Sequence, residues 1–159
     1  EKHTNYSNDV IFLNGECAEP LIRTMQVSSL VSLISKERVI REKLVELQRS
    51  IGKNSGVVMD GRDIGSVVFP DAEVKFWVTA DMMVRAKRRY DEILNNGGAV
   101  DFNEVLKNLK NRDFEDSNRS ISPLIRPSKS ILVDNSNLTI DQTLEFTMNI
   151  INSYLENNS

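Results

Sequence analysis

The sequence MDGRDIGSVVFPDA occupies residues 59–72, and its first residue, Met59, ends an apolar run that begins at Gly56. The segment Gly56–Met59 therefore predicts a buried strand that ends in a polar turn. In parallel α/β sheets, ligands bind just beyond the carboxyl ends of the strands. The carboxylates of Asp60 and Asp63 and the guanidinium of Arg62 fall at that point, and arginine presents a planar set of donors that fits phosphate. An ordinary turn with a local Asp–Arg ion pair would use the same residues. The rest of the sequence therefore has to distinguish a ligand site from such a turn.

Strands and helices alternate on both sides of this stretch. Strands are predicted at Val10–Leu13, Val74–Ala80 and Ser130–Asp134, and helices at Lys36–Ser50, from Asp81 to Asn95, from Asp101 and from Thr139. Residues 27–35 fit either a helix or a loop. Because strand–helix–strand connections place the strands side by side in parallel, the pattern predicts an α/β fold with a parallel sheet and flanking helices.

The composition narrows the possible chemistry. The 159 residues carry a net charge of −3, which suggests one domain without the broad basic field that attracts nucleic acid. Cys17 and His3 are the only cysteine and histidine, which argues against a disulfide framework, a Cys- or His-based metal site and histidine general-base catalysis. No apolar run could span a bilayer, and the first nine residues lack the apolar core of a signal peptide. We therefore predict a cytoplasmic protein with no membrane partner, no nucleic-acid partner and no protein-held metal.

Several arginines suggest phosphate chemistry. Arg41 lies in a predicted helix, Arg62 lies in the polar turn, and Arg112, Asp116 and Arg119 are spaced so that they share one face if that segment is helical. A solvated helix face with ion pairs is the alternative interpretation of the last three. Phosphoryl transfer requires positioned cations more than it requires covalent help from the protein. A chain with one histidine, one cysteine and several such arginines favours that reaction class.

The order and spacing of these motifs resemble bacterial cytidylate kinases over nearly the whole chain, from about Phe12 to the final helix. The matching segments are Ile22-Arg23-Thr24, Val27–Ser32 and Val39-Ile40-Arg41, then Asp60–Ala72, then Arg112-Asp113, Asp116, Arg119 and Ser122-Pro123-Leu124, and finally Leu132–Ser136.

The resemblance implies a fold like that of the P-loop kinases, in which helices flank a parallel sheet. It divides the single domain into part of a monophosphate-binding region at residues 1–50, core strands and a helix at 51–96, a mobile helical lid at 97–127, and a core strand with the C-terminal helix at 128–159. Gly97-Gly98 and Pro123 provide suitable hinges for such a lid.

The same resemblance implies ATP-dependent phosphorylation of CMP or dCMP by a monomeric enzyme, with Mg²⁺ as cofactor. Arg62, Arg112 and Arg119 would be the catalytic residues. By position, Ser32, Arg41 and Asp63 would recognise the cytosine edge, Arg62 would hold the α-phosphate, Arg112 and Asp116 would reach the ribose and phosphate, and Arg119 would contact the acceptor or transferring phosphate. Cytosine offers an amino donor where uracil offers an acceptor, so a carboxylate at Asp63 would favour cytosine.

One departure from the family pattern concerns the ATP site. The glycine-rich loop G-x-x-x-x-G-K-[S/T] of these kinases has no counterpart, because Gly15 is the only glycine before Gly52 and the single Gly-Lys pair is followed by Asn54. The first strand and the phosphate loop of the family pattern therefore have no match in this sequence. We expect the chain to be a fragment that holds much of the acceptor site, lacks the donor site and is inactive by itself.

Two other functions remain open. A non-catalytic module that binds CMP would need no phosphate loop, and the upstream gene sequence distinguishes it. An RNA-binding domain could use the same arginines, although the net negative charge and the lack of an aromatic and basic platform argue against it.

Overall fold

The computed structural model describes residues 6–7, 10–18, 22, 24–53 and 56–157. For residues 6, 7, 10 and 32 only the backbone is described. The elements of the described part are five strands, five α-helices and one π-helical turn, named below in chain order.

Three short strands form an antiparallel sheet at the start of the chain. They are β1 (Tyr6–Ser7), β2 (Val10–Leu13) and β3 (Glu16–Cys17), in the order β1-β2-β3. Asn14 and Gly15 connect β2 to β3 with φ values of 56° and 85°. Positive φ at both central residues is what a two-residue hairpin turn requires, so the predicted strand and turn at this place are confirmed.

Two helices follow, and the sequence had left the first one open. Helix α1 (Met25–Ile34) begins at Thr24, whose side chain accepts a hydrogen bond from the Val27 amide. Helix α2 (Arg38–Ile51) confirms the helix predicted at Lys36–Ser50. It packs against the π-helical turn Ile64–Val68, which lies within the quoted stretch.

The second half of the chain matches the predicted alternation. Strand β4 (Phe76–Thr79) pairs in parallel with β5 (Ile131–Asp134), in a register that places Val78 opposite Val133. Between them lie helices α3 (Met82–Asn95) and α4 (Phe102–Asn118), and α5 (Ile140–Asn157) ends the described chain.

Side-chain caps explain where these helices begin. Asp81 Oδ1 accepts from the amides of Met83 and Val84, and Asp101 Oδ1 accepts from those of Asn103 and Glu104. At the start of α5, Thr139 Oγ1 accepts from the Gln142 amide while Gln142 Oε1 accepts from the Thr139 amide, which is a reciprocal capping box. All three predicted helix starts are confirmed.

The strand predicted at Gly56–Met59 is wrong. These residues belong to no strand or helix, and Val58 is fully exposed. A strand is stabilised by hydrogen bonds to a neighbour, and β4 and β5 pair only with each other among the described strands. An apolar run indicates burial in a sheet, but it does not supply the neighbouring strand.

The core is small, and its most buried side chains come from the two-stranded parallel sheet, α3 and α4. Val133 of β5, Ala86 of α3 and Val105 of α4 are almost completely buried, and the rings of Tyr90 and Phe102 meet edge to face at 5.8 Å. Among the described residues, no side chain of α5 is buried. No helix in the described ranges has the length and apolar character that crossing a membrane requires.

Candidate active site

Asp63 stands at the start of the π-helical turn. Its main-chain oxygen accepts hydrogen bonds from the amides of Val67 at 2.8 Å and Val68 at 3.2 Å, so the backbone at Asp63 is held by the turn that follows it. Short π-helical segments are often found at functional sites. The side chain is only 4 % exposed, and a buried carboxylate requires a partner.

Arg41 is that partner. Helix α2 places its guanidinium against Asp63, and Nη2 donates to Oδ2 across 22 residues of sequence. Both side chains are buried. Two residues that the sequence analysis assigned to one edge of a base are therefore in direct contact.

The C-terminal end of α4 contributes a second buried pair, Asp116 and Arg119. Arg119 Nη1 lies 3.2 Å from Asp116 Oδ1, and its Nη2 lies 4.0 Å from Asp63 Oδ1, so Arg119 links the two carboxylates. Arg119 Nε also donates to the Ser122 carbonyl at 2.6 Å, which fixes the guanidinium where the helix ends. The predicted shared face of Arg112, Asp116 and Arg119 is confirmed, with Arg119 immediately following the helix.

Arg62 and Arg112 complete the cluster from the more exposed side. Arg62 Nε lies 3.2 Å from Asp116 Oδ2, and Arg112 Nε lies 3.9 Å from the same oxygen. About a third of each arginine side chain is exposed, whereas Asp116 is buried. The outer wall of the cluster is thus formed by two guanidinium groups.

The electrostatics of this cluster are unbalanced. Four arginines surround two aspartates, Asp63 and Asp116, which leaves an excess of positive charge in a largely buried place. Burial lowers the pKa of Arg119, and the nearby charge of Arg41 lowers it further. Burial also lowers the pKa of Arg112, with repulsion from Arg62 as the next cause. The nearby aspartates, Asp116 and Asp63 for Arg119 and Asp116 and Asp113 for Arg112, raise these pKa values but do not fully offset desolvation and like-charge repulsion.

Three buried polar atoms in the cluster make no hydrogen bond within the described structure, namely Arg41 Nε, Asp116 Oδ2 and Arg119 Nη2. Asp116 Oδ2 does lie within ion-pair distance of Arg62, but the geometry is not that of a hydrogen bond. Buried polar atoms usually have partners, so unpaired ones in a positively charged site fit an anionic ligand that also carries hydrogen-bonding groups.

Most of the predicted site residues are brought together by the fold. The described side chains of this set that meet are Arg41, Arg62, Asp63, Arg112, Asp116 and Arg119. Ser32 belongs to α1, but its side chain lies outside the described part. Arg23, one of the residues that carried the family resemblance, also lies outside it.

The sequence analysis missed a row of contacts between α4 and the α1 region. Asn108 Nδ2 donates to Ser29 Oγ at 3.2 Å, Arg112 Nη1 donates to Ser28 Oγ at 3.5 Å, and Lys36 pairs with Glu115. The α4 residues of this row are spaced three and four apart, so the sequence could have predicted that they share one helix face. It could not have predicted which part of the chain contacts that face. A cavity of about 280 Å³ lies beside the row and is lined by Ser28, Val105 and Arg112 among others.

Within the described ranges, no group of three or more histidine, cysteine, aspartate or glutamate side chains could hold a metal ion. The described residues therefore do not form a protein cage for Mg²⁺.

Comparison with known proteins identifies a single family. A family model described as cytidylate kinase matches residues 1–153. A cytidylate kinase of Flavobacterium psychrophilum is 46 % identical over 143 residues, which cover 90 % of this chain and 63 % of the relative. Cytidylate kinases of Bacteroides fragilis and Caldanaerobacter subterraneus are 50 % and 47 % identical, covering 86 % and 85 % of this chain and 60 % of each relative.

The parallel strands and flanking helices are those of an α/β protein. The chain belongs to the cytidylate kinase family. It spans about 60 % of the length of the curated relatives that it matches.

Proposed function

We propose that the cluster around Asp63 and Asp116 is the acceptor site of an ATP-dependent kinase that converts CMP or dCMP to the diphosphate. The observation that supports this most directly is the buried junction of Arg41, Asp63, Asp116 and Arg119, with its excess positive charge and unpaired polar atoms. A nucleoside monophosphate supplies both an anionic phosphate and a polar base edge.

In this proposal the Arg41–Asp63 pair recognises the base. The Asp63 carboxylate accepts a hydrogen bond from the exocyclic amino group of cytosine, and Arg41 donates to an acceptor on the same edge. Uracil presents a carbonyl where cytosine has its amino group, so its oxygen faces the carboxylate and leaves buried groups unpaired. We assign Ser32 to the same proposed base-recognition residues because of its position in α1.

The remaining arginines act on the phosphate end. Arg62 holds the α-phosphate and Arg119 reaches the acceptor or transferring phosphate, where positioned cations stabilise the charge that develops during transfer. Arg112 and Asp116 hold the ribose and phosphate, and the Arg62–Asp116 ion pair orients the Arg62 guanidinium. Arg62, Arg112 and Arg119 all lie within ion-pair distance of the Asp116 carboxylate, which limits the freedom that they lose when phosphate binds.

ATP as donor and Mg²⁺ as cofactor are part of the proposal. In kinases Mg²⁺ commonly enters with the nucleotide phosphates and keeps several waters, so it depends less on a dedicated set of protein ligands. The proposal treats residues 97–127 as the lid that closes over the phosphates, and the enzyme as a monomer.

The test follows ATP-dependent CDP formation by the product of the complete gene, with UMP and AMP as competing acceptors. We expect CDP to form with a clear preference for CMP. Arg62→Met should lower the rate by about 10³-fold or more, as the loss of a transition-state arginine does in phosphoryl transfer. Arg38→Met, which removes an exposed arginine outside the cluster, serves as the control. Equal rates for all three acceptors, or a loss below tenfold at Arg62, would contradict the proposed roles.

A further inference from the structure

Helix α2 carries a second arginine that contacts the π-helical turn. Arg49 lies eight residues beyond Arg41, which corresponds to about 12 Å along a helix. Its Nε donates to the Val68 carbonyl at 3.0 Å and its Nη2 donates to the Val67 carbonyl at 2.6 Å. Helix α2 is therefore bound at Arg41 to the start of the turn and at Arg49 to its end.

The contact of Arg49 has a clear electrostatic reason. The last carbonyls of any helical segment have no partner within that segment. Val67 and Val68 end the turn, and a guanidinium provides two donors and a positive charge at the end where helical dipoles are negative. A five-residue turn has few hydrogen bonds of its own, so the loss of two outside donors affects it more than it would a long helix.

The turn transmits this contact to Asp63. The amides of Val67 and Val68 donate to the Asp63 carbonyl at 2.8 and 3.2 Å, and the carbonyls of the same two residues accept from Arg49. A continuous series of hydrogen bonds thus leads from the end of α2 to the backbone of Asp63.

Close packing at the end of α2 supports the same contact. Gly52 ends the helix beside Phe69, the residue that follows the turn. A Cβ atom on Gly52 would lie 2.6 Å from Phe69 Cζ, closer than non-bonded carbon atoms approach, so a side chain there would require the Phe69 ring to move. The end of α2 is thus in close contact with the residue that follows the turn.

We infer that Arg49 is a positioning residue for base recognition, because it holds the turn so that Asp63 meets Arg41. This inference rests on the proposed function. Arg49 does not touch Asp63 or any reacting atom. Its loss should allow the turn to shift and should weaken the discrimination between cytosine and uracil more than it weakens nucleotide binding in general.

The experiment compares CMP and UMP affinities by calorimetry for the unmodified chain, Arg49→Met, Arg49→Lys and the control Arg38→Met. Methionine keeps most of the side-chain length without donors, and lysine restores one charged donor. We expect Arg49→Met to reduce the CMP-to-UMP affinity ratio about five- to tenfold, a size typical of losing charge-assisted hydrogen bonds at a partly exposed position. Arg49→Lys should recover part of that ratio, and Arg38→Met should leave it unchanged.

A second readout separates this inference from the proposed function. Amide hydrogen exchange at Val67 and Val68 should be faster in Arg49→Met than in the unmodified chain and close to normal in Arg38→Met. An unchanged ratio with unchanged exchange would overturn the role of Arg49. Equal CMP and UMP affinities in the unmodified chain would overturn the proposed function, and the base-recognition role of Arg49 with it. If Arg49→Met does not fold, the ratio and the exchange rates of Arg49→Lys decide between these outcomes.

Discussion

Arg119 is the residue in which the needs of stability and of binding conflict most clearly. Its side chain is 3 % exposed, its pKa is lowered by burial and by Arg41, and its Nη2 has no hydrogen-bond partner among the described residues. The charged form is thus less favourable in the folded protein than in water. A buried charge retained under these conditions is more easily explained by a ligand than by stability.

Replacing Arg119 with methionine tests this conflict. Because the cluster holds more positive than negative charge, we expect the free energy of unfolding of Arg119→Met to change by no more than about 1 kcal/mol, in either direction. CMP binding should nevertheless be lost. Denaturant unfolding and calorimetry on the same preparation measure both quantities. A loss of several kcal/mol in stability would show that Arg119 is mainly a structural residue.

For individual residues, the sequence predicted which residues form the cluster better than it predicted which of them contact each other. The spacing of Arg112, Asp116 and Arg119 was sufficient to place them on one side of a helix. The contact of Arg41 with Asp63 joins positions 22 residues apart and depends on how α2 packs. Arg49 was missed because a helix-terminal arginine is common, and only the structure shows which carbonyls it contacts.

At the scale of the elements, β5 places a buried and an exposed residue side by side. Val133 is 1 % exposed, whereas its neighbour Leu132 is 47 % exposed on the opposite face of the sheet. Side chains alternate along a strand, so the two positions offer a matched pair within one element.

Truncation of these two residues should have unequal effects. We expect Val133→Ala to lower the free energy of unfolding by about 2 kcal/mol, since it leaves a cavity in a packed core. Leu132→Ala removes more atoms but should cost less than about 1 kcal/mol, because those atoms already contact solvent. Thermal unfolding of the two variants provides the measurement, and equal losses would mean that the exposed face of the sheet is covered in solution.

The sequence predicted helix starts correctly where a capping side chain marks them. Asp81, Asp101 and Thr139 cap their helices as the sequence indicated, because a cap depends only on residues within one turn. The strand at Gly56–Met59 failed for the opposite reason, since a strand requires a neighbour that its own sequence does not specify. The sequence did not distinguish a helix from a loop at residues 27–35, because serine and valine have weak preferences for either. In the structure, the cap at Thr24 and contacts with α4 accompany the helix that forms there.

At the scale of the whole molecule, the row between α4 and the α1 region joins the proposed monophosphate-binding region to the proposed lid. The Lys36–Glu115 ion pair is the charged contact of this row, and both side chains are about 40 % exposed. Ion pairs with such exposure contribute little and are screened by salt. The contact is therefore suited to a closure that can open.

A double-mutant cycle with Lys36→Ala and Glu115→Ala tests the strength of that contact. We expect a coupling free energy of about 0.5 kcal/mol at low salt that largely disappears in 1 M NaCl. The exposed Lys43–Glu46 pair of α2 provides a comparison cycle. A coupling above about 2 kcal/mol that salt does not change would contradict a weak, reversible contact.

The α/β class and the parallel pairing in the second half of the chain were predictable because alternating strands and helices permit few arrangements, whereas the antiparallel sheet of β1–β3 was not predicted. The parallel pairing of β4 with β5 confirmed that expectation. The division of the chain into four regions and the mobility of residues 97–127 stay predictions, because they concern motion and boundaries rather than contacts.

The most direct test of the nucleotide site is a calorimetric titration of this chain with CMP, UMP and AMP, with Asp63→Asn as the matched variant. We predict saturable binding of CMP, markedly weaker binding of UMP and AMP, and a reduced CMP-to-UMP ratio in Asp63→Asn, because an amide can also donate to the uracil carbonyl. If the chain bound the three nucleotides equally, or if Asp63→Asn left the ratio unchanged, the buried cluster would not be the base-reading acceptor site.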